Sequence, residues 1–163
     1  MDSSSRSYGW ASHALIAALV VVTASFIGTR ATIPNIPIWY AGLQKPPFTP
    51  PNWLFGPVWT LIYAALALSF YRILRKDPGA PGRSRAIIAF MVQITLNALW
   101  SVSFFGLHSP ALGLVVIALL WLSIVANMIA FWTLDHIAAW PFAPYLAWVT
   151  FAGALNVAIV MLN

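Results

Sequence analysis

The side chains that could do chemistry in this sequence are few, and most of them are aromatic. Asp2, Asp77 and Asp135 are the only side-chain carboxylates, His13, His108 and His136 the only histidines, and there is no cysteine. The histidines are far apart in the chain, and no two share the spacing of a metal-ligand pair. No carboxylate lies within an apolar run, where it could relay a proton or couple an ion. Hydrolysis and general acid–base catalysis therefore have no apparatus here. What remains is nine tryptophans, five tyrosines and a few amides. That set suits two kinds of chemistry: stacking on a large, flat, apolar ligand, or redox and photochemistry on tryptophan.

The spacing of these residues groups them. Phe55, Trp59 and Tyr63 recur at i, i+4, i+8 and share one helical face. Gln93, Asn97, Trp100 and Phe104 follow i, i+4, i+7, i+11, again a single face. Trp148, Ala152 and Asn156 form a third stripe, in which the small Ala152 leaves room beside Trp148. Each stripe has two readings. The aromatics either pack helix on helix or line a ligand pocket. The amides either bond between helices or orient a polar group of a ligand in an apolar pocket.

The elements that carry these stripes are set by composition. The chain is 61% hydrophobic and 7% charged, against roughly 25% charged in a soluble domain. Its solvent must be lipid. Apolar segments at about 13–29, 53–74, 86–105, 111–134 and 138–162 each approach the ~20 residues a helix needs to cross the hydrocarbon core. Backbone groups in lipid must be satisfied internally, so these segments are helices. None alternates apolar and polar residues as a membrane barrel strand does. The expectation is an all-α integral membrane protein: one five-helix bundle spanning residues 1–163. Ala14/Ala18 and Ala24/Gly28 have the four-residue spacing that lets helices approach closely in lipid.

Between the first two spans lies a stretch with six prolines: Pro34, Pro37, Pro46, Pro47, Pro50 and Pro51. Proline fixes φ and removes a donor, which predicts a loop over 30–52 with no long helix. Such a rigid loop is either a belt at the headgroups, with Trp39, Tyr40 and Phe48 as interfacial aromatics, or a lid over the bundle. The connector 72–85 holds Arg72, Arg75, Lys76, Arg83 and Arg85 against Asp77 alone. That excess marks the inner side of the membrane and not a nucleic-acid surface. With five spans, the N-terminus is then inside, and the first loop and C-terminus are outside. Asp135, in the short turn before the last span, is expected to be solvated.

These residues resemble a known family. Trp39-Tyr40-x-x-Leu43-x-Lys45-Pro46, Pro50-Pro51 and Phe55-x-x-x-Trp59-Thr60-x-x-Tyr63 are similar to the signature of the translocator protein family, also called the tryptophan-rich sensory protein or peripheral-type benzodiazepine receptor family. Asn97-x-Leu99-Trp100, Phe104-Phe105-Gly106, Trp121, Pro144-Tyr145-Leu146-x-Trp148 and Leu155-Asn156 extend the match over nearly the whole chain. The resemblance implies a five-helix bundle, a homodimer, and one ligand pocket beneath the first loop. The ligands it implies are protoporphyrin IX and other tetrapyrroles, sterols, and synthetic isoquinolines and benzodiazepines. It requires no cofactor, since the porphyrin is the ligand. Carried over by position, the pocket residues would be Tyr40, Pro50, Phe55, Trp59, Tyr63, Asn97, Trp100, Trp148 and Ala152. A receptor or sensor of tetrapyrroles is the first reading. A light- and oxygen-dependent porphyrin-degrading enzyme, with Trp59 and Trp148 as candidate catalytic residues, is the second. A transporter of apolar molecules is the third. The chain ends Met161-Leu162-Asn163 and lacks the Tyr and basic residue of the eukaryotic cholesterol pattern, so tight sterol binding at that place is not expected and a bacterial member is.

Overall fold

The apolar segments fold as helices, and the connections between them put the aromatic stripes on facing surfaces. The computed structural model of the chain describes the backbone of residues 3–163 and the side chains from residue 9 onward. Among the described residues there is no strand. Five helices are long and apolar enough to span a membrane. They are α1 (Ser3–Thr32), α2 (Asn52–Leu74), α3 (Arg83–Ser101), α4 (Pro110–Trp132) and α5 (Phe142–Leu162). A single turn, His136–Ala139, leads into α5.

The first helix differs most from expectation. It begins well before residue 13, and helical backbone continues past Thr32 as a 3₁₀ turn, Ile33–Asn35, and a π-helical stretch, Ile36–Tyr40. Pro34 and Pro37 lie in the first turn of these two segments. Each proline removes a donor that a continuing α-helix would use, and the hydrogen-bond pattern changes to 3₁₀ and then π while the backbone stays helical. The irregular loop is confined to about 43–51, where Pro46, Pro47, Pro50 and Pro51 fall together. A second π-helical stretch, Val102–Gly106, ends α3 beside the first.

The helices close into a ring. α1 packs on α2 and α3, α3 on α4, and α4 on α5. The seam between α2 and α5 is bridged by side chains, Phe55 on Trp148 at 5.8 Å and Trp59 on Tyr145 at 6.2 Å between ring centroids. On α1 the buried stripe is Ala17, Val21, Ala24 and Gly28. Ala24/Gly28 thus packs as its spacing predicts, while Ala18 faces outward. A Cβ on Gly28 would stand 3.2 Å from Ser101 Oγ, so glycine permits the close approach of α1 to α3. At Gly113 a Cβ would come within 3.0 Å of both Phe104 and Asn156.

Two ends of the bundle are distinguished by their contacts. At one, the 72–85 connector meets the α4–α5 turn: Asp135 lies 2.9 Å from Arg72 and 3.0 Å from Lys76. The same carboxylate accepts from the Ala138 N–H at 3.1 Å and caps the His136–Ala139 turn. This corrects the solvated reading of Asp135, whose side chain is only 6% exposed. The turn is short, and α2 ends against it with two cations. Burial alone would raise the Asp135 pKa. Hydrogen bonds from Lys76, the Ala138 N–H and Arg72, with the Lys76 charge, outweigh it and hold the carboxyl at about 2. At the other end, Gln44 N–H donates to Asn163 Oδ1 at 3.0 Å, and Asn163 Nδ2 donates to Gln44 O at 3.1 Å. The proline loop is thereby tied to the last residue of the chain.

Candidate ligand site

The aromatic stripes of α2 and α3 face the end of the bundle that carries the proline loop. Trp59 is the hub, with ring centroids 5.6 Å from Tyr63, 6.5 Å from Trp100 and 6.2 Å from Tyr145. Beside it lies a cavity of about 400 Å³ between α1, α2 and the end of α3. That volume falls within the range of small-molecule sites, roughly 300–1,000 Å³. Its aromatic wall is Tyr40, Trp53, Phe55, Trp59, Tyr63, Trp100 and Phe105. Its other wall is a strip of small and hydroxyl residues on α1: Ser25, Gly28, Thr29 and Thr32. Gly56, Thr60 and Thr29 line the cavity and are exposed, so it opens sideways between α1 and α2.

Five of the nine expected pocket residues therefore line one cavity: Tyr40, Phe55, Trp59, Tyr63 and Trp100. The other four lie elsewhere. Asn97 is buried behind Tyr63, accepting from the Tyr63 hydroxyl at 2.6 Å and donating to the Tyr145 hydroxyl at 2.7 Å. Gln93 Nε2 donates to the same Tyr145 oxygen at 2.8 Å. These amides are thus bonded between α2, α3 and α5, as the packing reading of the stripe requires. Trp148 sits on the far side of Phe55 and against Phe151, and its indole N–H is buried without a partner in the chain. Ala152 is buried in α5, and Pro50 is half-buried in the loop; neither lines the cavity. Asn156 accepts from the Trp100 indole N–H at 3.3 Å and fixes that ring from behind.

The roof of the cavity is built from the two π-helical stretches, a helix form that recurs at functional sites. Trp39 meets Phe104 edge-on at 5.4 Å and stacks on His108 at 4.8 Å. Tyr40 lies 5.5 Å from Phe105. The Tyr40 hydroxyl lacks a partner in the chain although it is buried. Lys45 lies over the Tyr40 ring at 4.8 Å, its ammonium donating to the Leu43 and Ala41 carbonyls at 2.9 and 3.2 Å. The site therefore offers stacking faces and one free buried hydroxyl, with a cation at the rim. Among the described residues no cluster of His, Asp or Glu could hold a metal ion.

Sequence reasoning missed the α1 wall. The signal was present: Ser25, Thr29 and Thr32 fall at i, i+4, i+7, a hydroxyl stripe in an otherwise apolar helix. Trp53, Ser101 and Phe105 were also missed; Phe105 lies in the π-helical stretch, where a regular 3.6-residue period no longer applies, while Ser101 stands four residues after Asn97 on the regular helix.

Comparison with known proteins agrees with this architecture. Residues 16–162 match the TspO/MBR family. Tryptophan-rich protein TspO of Archaeoglobus fulgidus is 41% identical over 150 residues, covering 91% of this chain and 96% of that protein. Protein CrtK of Rhodobacter capsulatus is 38% identical, covering 90% of this chain and 91% of its own length. The human translocator protein is 33% identical, covering 80% and 78%. With the family match running through all five spans, this chain belongs to the TspO/MBR family of membrane proteins.

Proposed function

We propose that this protein is a membrane receptor for porphyrins, protoporphyrin IX foremost, held in the cavity between α1, α2 and the end of α3. The observation that carries the reading is the aromatic wall around Trp59, facing a cavity of about 400 Å³ that opens sideways between α1 and α2. A flat apolar macrocycle gains roughly 0.5–1.5 kcal/mol per well-placed aromatic contact beyond its area burial. The Tyr40 hydroxyl would meet a polar edge of the ligand, in the role that Asn97 cannot fill while it is bonded to two tyrosines. Lys45 would attract an anionic side group at the rim. The basic 72–85 connector supports an inward-facing N-terminus and an outer cavity. A homodimer in the bilayer is part of the same reading.

The contact of Trp59 with Trp100 and Tyr63 favours a second reading, in which the light-excited bound porphyrin takes an electron from Trp59 and dioxygen is the oxidant in its breakdown. One titration separates the two. Protoporphyrin IX is added in detergent, in the dark and under light, to wild type, Trp59→Phe and Trp148→Phe, following tryptophan quenching and porphyrin absorbance. Saturable dark quenching weakened by Trp59→Phe and retained in Trp148→Phe supports the receptor. Repeated turnover under light and oxygen that needs Trp59 supports the enzyme. Absence of saturable quenching at micromolar ligand rejects both.

A further inference from the structure

At the opposite end of the bundle from the ligand cavity, a second hollow lies between the end of α4 and the start of α5. It measures about 380 Å³, and its walls include Met128, Ile129, Trp132, Ala139 and Trp140. Thr133 is its one polar lining residue, and that hydroxyl is turned back onto the Ala130 carbonyl at 2.9 Å. Trp140 is 65% exposed and Trp132 47% exposed, with ring centroids 6.2 Å apart. Paired tryptophans at the end of a span sit at headgroup depth. Positive charge gathers at the same depth. Two residues beyond Thr133, Asp135 gathers Arg72 and Lys76, two cations on one carboxylate. Both cation side chains remain 36% exposed, so the cluster presents net positive charge to the headgroup layer. Arg75 and Arg85, exposed on the same connector, add to it.

We propose that this groove binds one anionic phospholipid, its acyl chain laid along the Trp132–Trp140 pair and its phosphate toward Arg72 and Lys76. An apolar slot at the same end of the bundle as two cations that share one carboxylate matches a ligand with one apolar chain and one anionic head. A neutral sterol or a zwitterionic lipid would satisfy the slot but not the charge. The proposal does not depend on what the upper cavity binds.

Native mass spectrometry of the full chain, with phosphatidylglycerol and phosphatidylcholine supplied in equal amounts, reads the retained lipid directly. One phosphatidylglycerol retained in clear preference to phosphatidylcholine is the expected result. Lys76→Gln, which leaves the Arg72–Asp135 pair in place, should lower that occupancy about fivefold, the effect of one cation near a membrane surface. Trp140→Ala should lower retention of both lipids. Equal retention of the two lipids, or retention indifferent to Trp140→Ala, overturns the proposal, as would a dimer that buries Trp140. If a variant fails to fold, quenching of wild-type tryptophan by chain-brominated phosphatidylglycerol, compared with brominated phosphatidylcholine, decides the same point. Equal quenching by the two would again sink it.

Discussion

The two halves of this bundle are built from the same residue types and do opposite things with them. In the half nearer the connector, aromatics fill space. Phe70 stacks on Phe90 at 4.2 Å, Phe90 on Phe131 at 6.0 Å, and Phe131 meets Phe142 edge-on at 5.1 Å. All four are essentially inaccessible. In the half under the proline loop, aromatics surround space. Trp59, Phe55 and Tyr63 are only half-buried, and the helices depart from regular geometry. Close packing is what stabilises helices against each other in lipid. The comparison teaches that rigidity sits in one half and leaves the other free to hold a ligand.

The sharpest way to break this comparison is to hollow out the packed half. Phe90→Ala removes the ring between Phe70 and Phe131 and leaves a void. In lipid the transfer contribution is small, but lost packing remains. We expect a stability loss of about 3 kcal/mol, at the lower end of core phenylalanine truncations. Porphyrin affinity of the folded fraction should stay within about twofold. Thermal melting in detergent and the quenching titration measure the two. A large affinity loss would mean that the halves are not separable.

Next is the cluster that closes the packed half. Asp135→Asn leaves Arg72 and Lys76 without their anion, and we expect a loss of about 2 kcal/mol, below that of a fully buried pair because both cations reach solvent. The pH dependence has a definite sign. The carboxyl is held at about 2 when folded, below its usual ~3.9. Its contribution is therefore complete above pH ~4 and is lost as pH falls toward 2. Wild-type melting temperature should drop across that window, and the Asn variant should show a smaller drop.

The open half is probed by Trp59. Trp59→Ala removes the ring that touches Tyr63, Trp100 and Tyr145. Protoporphyrin affinity should fall about tenfold, the worth of one stacked ring. Trp148→Ala, outside the cavity wall, should change affinity less than Trp59→Ala. Equal effects would move the site toward the α2–α5 seam.

Much of this division was legible in the sequence, for a physical reason. Helical period and the cost of polar groups in lipid together force Gln93, Asn97, Trp100 and Phe104 inward, and all four are buried. Asn127 obeys the same logic and donates to the Ala89 carbonyl of the neighbouring helix at 2.8 Å. What a fixed period cannot follow is a change of period. The π-helical stretches re-aim Tyr40 and Phe105, and two of the six prolines that predicted a loop, Pro34 and Pro37, sit instead in short helical segments that continue α1. Partner choice was equally hidden. Nothing in the spacing of Asn97 says that Tyr63 and Tyr145 consume its hydrogen bonds. Asp135 could have been read better, since two connectors separated by two spans share one end of a bundle. One of them was rich in cations lacking an anion.

The smallest expected effect concerns the loop. The 43–51 stretch is held in two ways: by prolines that limit its free conformations, and by the paired hydrogen bonds between Gln44 and Asn163. Phe48 against Phe151 adds an apolar contact at 6.4 Å. Asn163→Ala removes both hydrogen bonds. They are exposed, so together they contribute about 0.7 kcal/mol at most, near the low end for such bonds. If the loop must lift for ligand to leave, the dissociation rate should rise about threefold, with the melting temperature unchanged. Replacing Pro50 and Pro51 with Gly acts through the freedom of the opened loop and should add to that effect. Stopped-flow release of protoporphyrin measures both. If neither variant changes the off-rate, ligand leaves sideways between α1 and α2, where Thr29, Gly56 and Thr60 already line an open flank. The proline loop would then brace the rim of the open half without gating it.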